Sequence, residues 1–135
     1  MNGQKILIVD DETAILERLS GLLRASGWSV ITASNGREAL EKVTAGRPDA
    51  IVLDMIMPEM DGFQLARSLK SHLDYRNIPI LAATSLCSGA DRKRCLAAGC
   101  DDYVAKPFTT EQLQRSLTGL IERHLSRAAV NNKTT

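Results

Sequence analysis

A chain of 135 residues with 17 Lys and Arg against 16 Asp and Glu, and 44% apolar residues, has the length for one packed domain and the composition of neither a nucleic-acid-binding nor a disordered protein. No apolar run approaches the roughly 20 residues that a bilayer span needs. The opening MNGQKILIVDDE meets acidic residues too early for a signal peptide, so membrane insertion and direct nucleic-acid binding are not expected and the cytoplasm is the expected compartment.

The run KILIVD, 5 to 10, is aliphatic and β-branched and predicts a strand, after which Ile15, Leu19, Leu22 and Leu23 recur at helical spacing. WSVITA, 28 to 33, predicts a second strand with a helix near 36 to 45. AIVLD, 50 to 54, predicts a third, with a helix near 61 to 73 carrying Leu65, Leu69 and Leu73. IPILAAT, 78 to 84, precedes a helix near 89 to 98, and DYVA, 102 to 105, precedes one over 110 to 125 with Leu113, Leu117, Leu120 and Ile121 on one face. Gly27, Gly46 and Gly99 sit where left-handed helix caps are expected, and Ser34, Asp61 and Thr109 where N-caps are.

Five strands alternating with five helices require parallel pairing through right-handed crossovers, and strands buried on both faces explain apolar runs without alternation. The expected architecture is a doubly wound, three-layer α/β sandwich. Its least amphipathic helix, in ADRKRCLAAG, offers Leu96, small residues and three consecutive cations, which makes it a candidate moving part. The final SRAAVNNKTT lacks periodicity and is expected to fray, giving a domain over 1 to 125 and a flexible tail over 126 to 135. Cys87, Cys95 and Cys100 form no CxxC pair and are expected as reduced, buried or half-buried thiols; His72 and His124, near helix ends, are expected in surface or capping roles.

In a parallel sheet the carboxyl ends of the strands share one edge, where ligand sites lie. The first strand ends in Asp10 and Asp11 with Glu12 next, the third in Asp54, the fourth in Thr84 and Ser85, and the fifth in Lys106 and Pro107, while the second ends in the uncharged Ala33 and Ser34. Adjacent first and third strands would bring Asp10, Asp11 and Asp54 into one pocket, and three carboxylates so close call for a cation. Hard oxygen donors suit Mg²⁺ or Mn²⁺ over Zn²⁺. Lys106 as a point cation and Thr84 as a hydroxyl donor complete the needs of a phosphoryl group, and a carboxylate can itself take that group as an acyl phosphate.

ILIVDDE (6 to 12), VLDMIMPEMDG (52 to 62), AAT (82 to 84) and GCDDYVAKPF (99 to 108) together resemble the receiver domain of two-component response regulators, over about residues 4 to 125. The resemblance implies the flavodoxin-like receiver fold with strand order 2-1-3-4-5. It implies Asp54 as the phosphoacceptor, supplied by a phosphohistidine on a sensor histidine kinase or histidine phosphotransfer protein. Asp11, Asp54 and the backbone carbonyl of Ile56 would hold Mg²⁺, with Asp10 assisting through a bound water. Lys106 would pair with the phosphoryl oxygens, Thr84 would move to them, Tyr103 would turn inward, and the bond to Pro107 would be cis. The fourth helix, fifth strand and fifth helix, with Arg92, Lys93 and Arg94, would form the output surface. The resemblance further implies that Ile56 and Leu86, two residues after the acceptor and two after the threonine, would border the path of an attacking water; both are apolar, which predicts a long-lived phosphoryl group. Ser85 is small, as access requires.

The favoured reading is a stand-alone receiver working through protein contacts, with no external substrate and only its own phosphorylation and dephosphorylation. The alternatives are a receiver cut from a hybrid kinase or transcription factor, or, in another class, an aspartate-based phosphatase or nucleotide-binding α/β enzyme. The last is disfavoured, because DxDxT is absent at Asp54, which runs DMI, and no GxGxxG or P-loop occurs.

Overall fold

Strand and helix alternate throughout the computed structural model, which describes residues 4–85 and 88–133, with side-chain surroundings described as far as Arg127. The order is β1 (Lys5–Val9), α1 (Thr13–Ala25), β2 (Ser29–Ala33), α2 (Gly36–Gly46), β3 (Ala50–Asp54), α3 (Gly62–Lys70), β4 (Ile80–Thr84), α4 (Gly89–Ala97), β5 (Asp102–Ala105) and α5 (Thr110–Lys133). All strand pairs are parallel and the sheet order is β2-β1-β3-β4-β5, the expected receiver order.

Because successive strand residues face opposite ways, one strand feeds two cores. Leu7, Val9, Ile51 and Leu53 pack with Val43, Leu65, Leu69 and Cys95 of α2, α3 and α4. Ile6, Ile8, Ala50 and Val52 pack with Leu16, Leu19 and Leu23 of α1 and Leu113, Leu117, Leu120 and Ile121 of α5. Strands β3 and β4 are buried at every residue, which is why both read as unbroken apolar runs.

Several local expectations change. The buried stripe of α1 is Leu16, Leu19, Ser20 and Leu23, so Leu22 turns outward. Leu73 lies beyond α3, which stops at Lys70, and is 74% exposed because the chain turns away from the sheet there. Asn35, not Ser34, caps α2, its side chain accepting from the Glu38 amide at 2.8 Å, while Ser34 Oγ donates to the Glu38 carboxylate. Gly27 and Gly99 adopt the left-handed backbone at φ 98° and 107°, whereas Gly46 is simply the last residue of α2. Asp61 forms a reciprocal box with Gln64, and Thr109 does the same with Gln112.

The α4 helix is anchored through Cys95, with Leu96 on the exposed side, the reverse of what the apolar residue suggested. Arg94 ties it to α3, its guanidinium 4.2 Å above the Phe63 ring. The α5 backbone stays helical to Lys133, past residue 125 where the apolar periodicity stops, so the end of that periodicity does not mark a helix end. Cys95 and Cys100 are buried free thiols, and burial pushes the Cys100 thiol up to about 12, while Cys87 lies outside the described residues.

Candidate functional site

The sheet register assembles the polar strand ends. Val9 pairs with Leu53, Asp54 with Ala83 and Thr84 with Ala105, so the residues that leave β1, β3, β4 and β5 come out side by side along the carboxyl edge. Carboxylate oxygens of Asp10, Asp11 and Asp54 lie within 4.8 Å of one another. Lys106 Nζ reaches in from the end of β5, 3.1 Å from Asp10 Oδ2 and 3.7 Å from Asp54 Oδ1. Thr84 is wholly buried beside them, and the Lys106 amide donates to its carbonyl at 2.9 Å.

Two backbone amides orient the carboxylates. The Glu12 amide donates to Asp10 Oδ1 at 2.9 Å, and the Ile56 amide to Asp54 Oδ1 at 3.1 Å. The loop that carries Ile56 is held close by Gly62: a Cβ there would lie 2.5 Å from the Asp54 carbonyl oxygen and from Met55 Cα, so only glycine lets α3 begin against the end of β3. The Lys106–Pro107 bond is cis.

Burial is the largest influence on Asp54 and pushes its carboxyl up to about 6, with repulsion from Asp10 and Asp11 adding to it, against the Ile56 amide and Lys106. One ammonium shared with two buried aspartates leaves an excess of negative charge. A hard divalent cation fits that deficit, and among the described residues no imidazole or thiol joins the cluster to favour a softer metal.

Beside the carboxylates opens a cavity of about 380 Å³ lined by Ile15, Arg18, Ser85, Lys106, Pro107 and Phe108. The sequence model of the response regulator receiver domain matches residues 6–118. The chain belongs to this family.

Curated relatives of this receiver domain include the response regulator MprA of Mycolicibacterium vanbaalenii, 44% identical over 119 residues that make up 88% of this chain and 51% of MprA. MprA of Mycobacterium leprae is 44% identical over the same proportions. The chain thus spans about half the length of the curated relatives it matches. Among solved structures, the chemotaxis protein CheY4 of Vibrio cholerae is 35% identical with a TM-score of 0.83, covering 87% of this chain and 98% of its own. The receiver domain of the sensor histidine kinase PA1611 of Pseudomonas aeruginosa PAO1, described with a magnesium ion coordinated in the active site cleft, is 36% identical with a TM-score of 0.81, covering 89% and 98%. No helix among the described residues is long and apolar enough to cross a membrane.

Of the receiver residues expected from sequence, Asp10, Asp11, Asp54 and Lys106 are brought together, and Thr84 is buried on the neighbouring strand. Ile56 is 52% exposed next to Asp54, and Tyr103 is half-buried against the core on β5. Leu86 lies outside the described residues. Sequence reasoning did not single out Arg18, which walls the cavity together with Phe108. Its position one turn from Ile15 on the polar side of α1 was the available signal.

Proposed function

We propose that this receiver domain accepts a phosphoryl group on Asp54 from a phosphohistidine of a sensor histidine kinase or histidine phosphotransfer protein. The observation that carries this reading is the convergence of Asp10, Asp11 and Asp54 within 4.8 Å with the Lys106 ammonium between Asp10 and Asp54. An Asp54 carboxylate oxygen attacks the phosphorus, the P–N bond breaks, and the donor imidazole leaves with the electron pair and takes up a proton. Asp11, Asp54 and the Ile56 carbonyl would hold Mg²⁺ or Mn²⁺, with Asp10 beside them. The ion would offset the carboxylate charge and that of the incoming phosphoryl oxygens.

The chain's own residues do the rest. The Ile56 amide orients the acceptor carboxylate, and Lys106 moves from Asp10 toward the new phosphoryl oxygens. Thr84 turns its hydroxyl to the same group, Tyr103 follows into the space vacated, and the surface of α4, β5 and α5 changes the partner it binds. The chemistry is confined to phosphorylation and dephosphorylation of Asp54 itself.

The test is incubation with Mg²⁺ and a small acyl-phosphate donor, followed by intact mass. The wild-type chain gains one phosphoryl group, Asp54→Ala gains none, and chelation abolishes the gain. An undiminished adduct on Asp54→Ala moves the acceptor elsewhere.

A further inference from the structure

At the opposite, amino edge of the sheet lies a second polar concavity of about 360 Å³, to which Arg47 comes from the α2–β3 connection, Arg76 from the loop after α3, and His124 and Arg127 from α5. Lys70 and Asp101 also line it but are committed to one another at 3.0 Å, and Lys70 further donates to the carbonyls of Arg76 and Ile78. Cations at this edge ordinarily serve the helix C-termini that end there, as Lys70 does. Arg47, Arg76 and Arg127 differ: among the described residues none of their side chains makes an ion pair or hydrogen bond, and all three are exposed.

Three guanidiniums from three elements, facing one concavity, concentrate positive potential where the fold requires none. Each planar fork takes a pair of oxygens, so three forks drawn from separate elements suit the row of oxygens along a phosphate chain. The adjoining cleft shares Arg47 and His124 and has an apolar floor of Pro48, Pro79, Ile121 and Leu125, with Asp49 at its side occupied by the Lys5 amide at 2.7 Å. Its volume of about 150 Å³ suits a flat ring.

We propose that this groove binds a nucleoside di- or triphosphate, its phosphate chain on Arg47, Arg76 and Arg127 and its base in the proline-floored cleft beside His124. The site is separate from the carboxylate cluster and does not rest on phosphorylation of Asp54.

The test is calorimetric titration of the whole chain, with chelator present to silence the carboxylate site, using ATP, GTP, adenosine, tripolyphosphate and a short single-stranded oligonucleotide. A nucleoside triphosphate is expected to bind at least about tenfold more tightly than either tripolyphosphate or adenosine. Arg47→Ser, Arg76→Ser and Arg127→Ser each weaken it about fivefold or more, and the triple variant abolishes it. Arg37→Ser, on the far end of α2, leaves it unchanged, and a wild-type circular dichroism spectrum and urea melt of the triple variant report that the fold is intact. Three results overturn the proposal: no saturable binding up to about 1 mM nucleotide, tripolyphosphate matching the nucleotides, or binding by the oligonucleotide alone.

Discussion

The ammonium of Lys106 is 3.1 Å from Asp10, closer than to the proposed acceptor Asp54 at 3.7 Å, although 96 residues separate Lys106 from Asp10 in the chain. The lysine therefore rests on a neighbour of the acceptor, within reach of whatever the acceptor gains. Removing it strands two buried carboxylates. Lys106→Ala is expected to lower metal-free stability by about 1 to 2 kcal/mol, a value discounted from that of a fully buried pair because Lys106 keeps some solvent contact. Urea melts measure this, and saturating Mg²⁺ should recover much of the loss. A variant as stable as wild type without metal would mean the lysine holds no charge balance here.

The Asp54 carboxyl gives the metal-free protein a pH signature. Its value rises from 3.8 to about 6 on folding, so the protonated form favours the folded state. That stability is fully present below 3.8 and is lost as pH rises through about 6. The loss is on the order of 3 kcal/mol at most, and solvent screening at this partly open edge reduces it. Asp54→Asn keeps the shape and removes the titration, so the difference between wild-type and variant stability should open between pH 4 and 6 and close on adding Mg²⁺. A difference independent of pH in metal-free buffer contradicts it.

If Asp54 is the acceptor, as proposed, the apolar Ile56 would set how long the phosphoryl group lasts. Its side chain is 52% exposed two residues from Asp54 and offers no hydrogen bond to a water approaching the acyl phosphate. Ile56→Asn places such a group there and is expected to shorten the lifetime of the phosphorylated form by about tenfold. Leu86→Glu should act in the same direction. Decay followed by intact mass at fixed Mg²⁺, unchanged in both variants, rules the idea out.

Gly62→Ala tests how tightly α3 must meet the acceptor strand. The added methyl would lie 2.5 Å from the backbone at Asp54 and Met55, which has no flexible end to yield. The expected cost is about 3 kcal/mol by urea melts, together with slower phosphorylation as the Ile56 amide is drawn off Asp54. Gly21→Ala is the control. Nothing lies within 4 Å of its Cβ position, so the variant should gain up to about 1 kcal/mol from helix propensity.

The cavity lined by Ile15, Arg18 and Phe108 shares Lys106 with the carboxylate cluster and is wide enough for the imidazole of the proposed donor. Ile15→Glu is expected to slow transfer from a phosphohistidine protein about tenfold while leaving phosphorylation by a small acyl phosphate unchanged. Equal slowing with both donors would place Ile15 in the chemistry and not in docking.

The sequence by itself determined the five β/α units and the polar residues at their ends, because apolar period and strand termination are local properties. An apolar run ending in Asp54, and another ending in Lys106, state where the chain leaves the core and with which charge. Which apolar residues face inward was less legible. Leu22, Leu73 and Leu96 point to water while Ser20 is buried, because helix rotation and helix length answer to the neighbouring layer and not to hydrophobicity alone. The same limit put the α2 cap at Ser34 when Asn35 holds it. Only the tertiary structure decided that Lys106 leans on Asp10, that Arg18 and Phe108 wall the cavity beside Lys106, and that Arg47, Arg76 and Arg127 share one groove. Those distances join residues far apart in the chain, and they are set by the register of parallel strands and the angle at which each helix packs, neither of which any local pattern encodes.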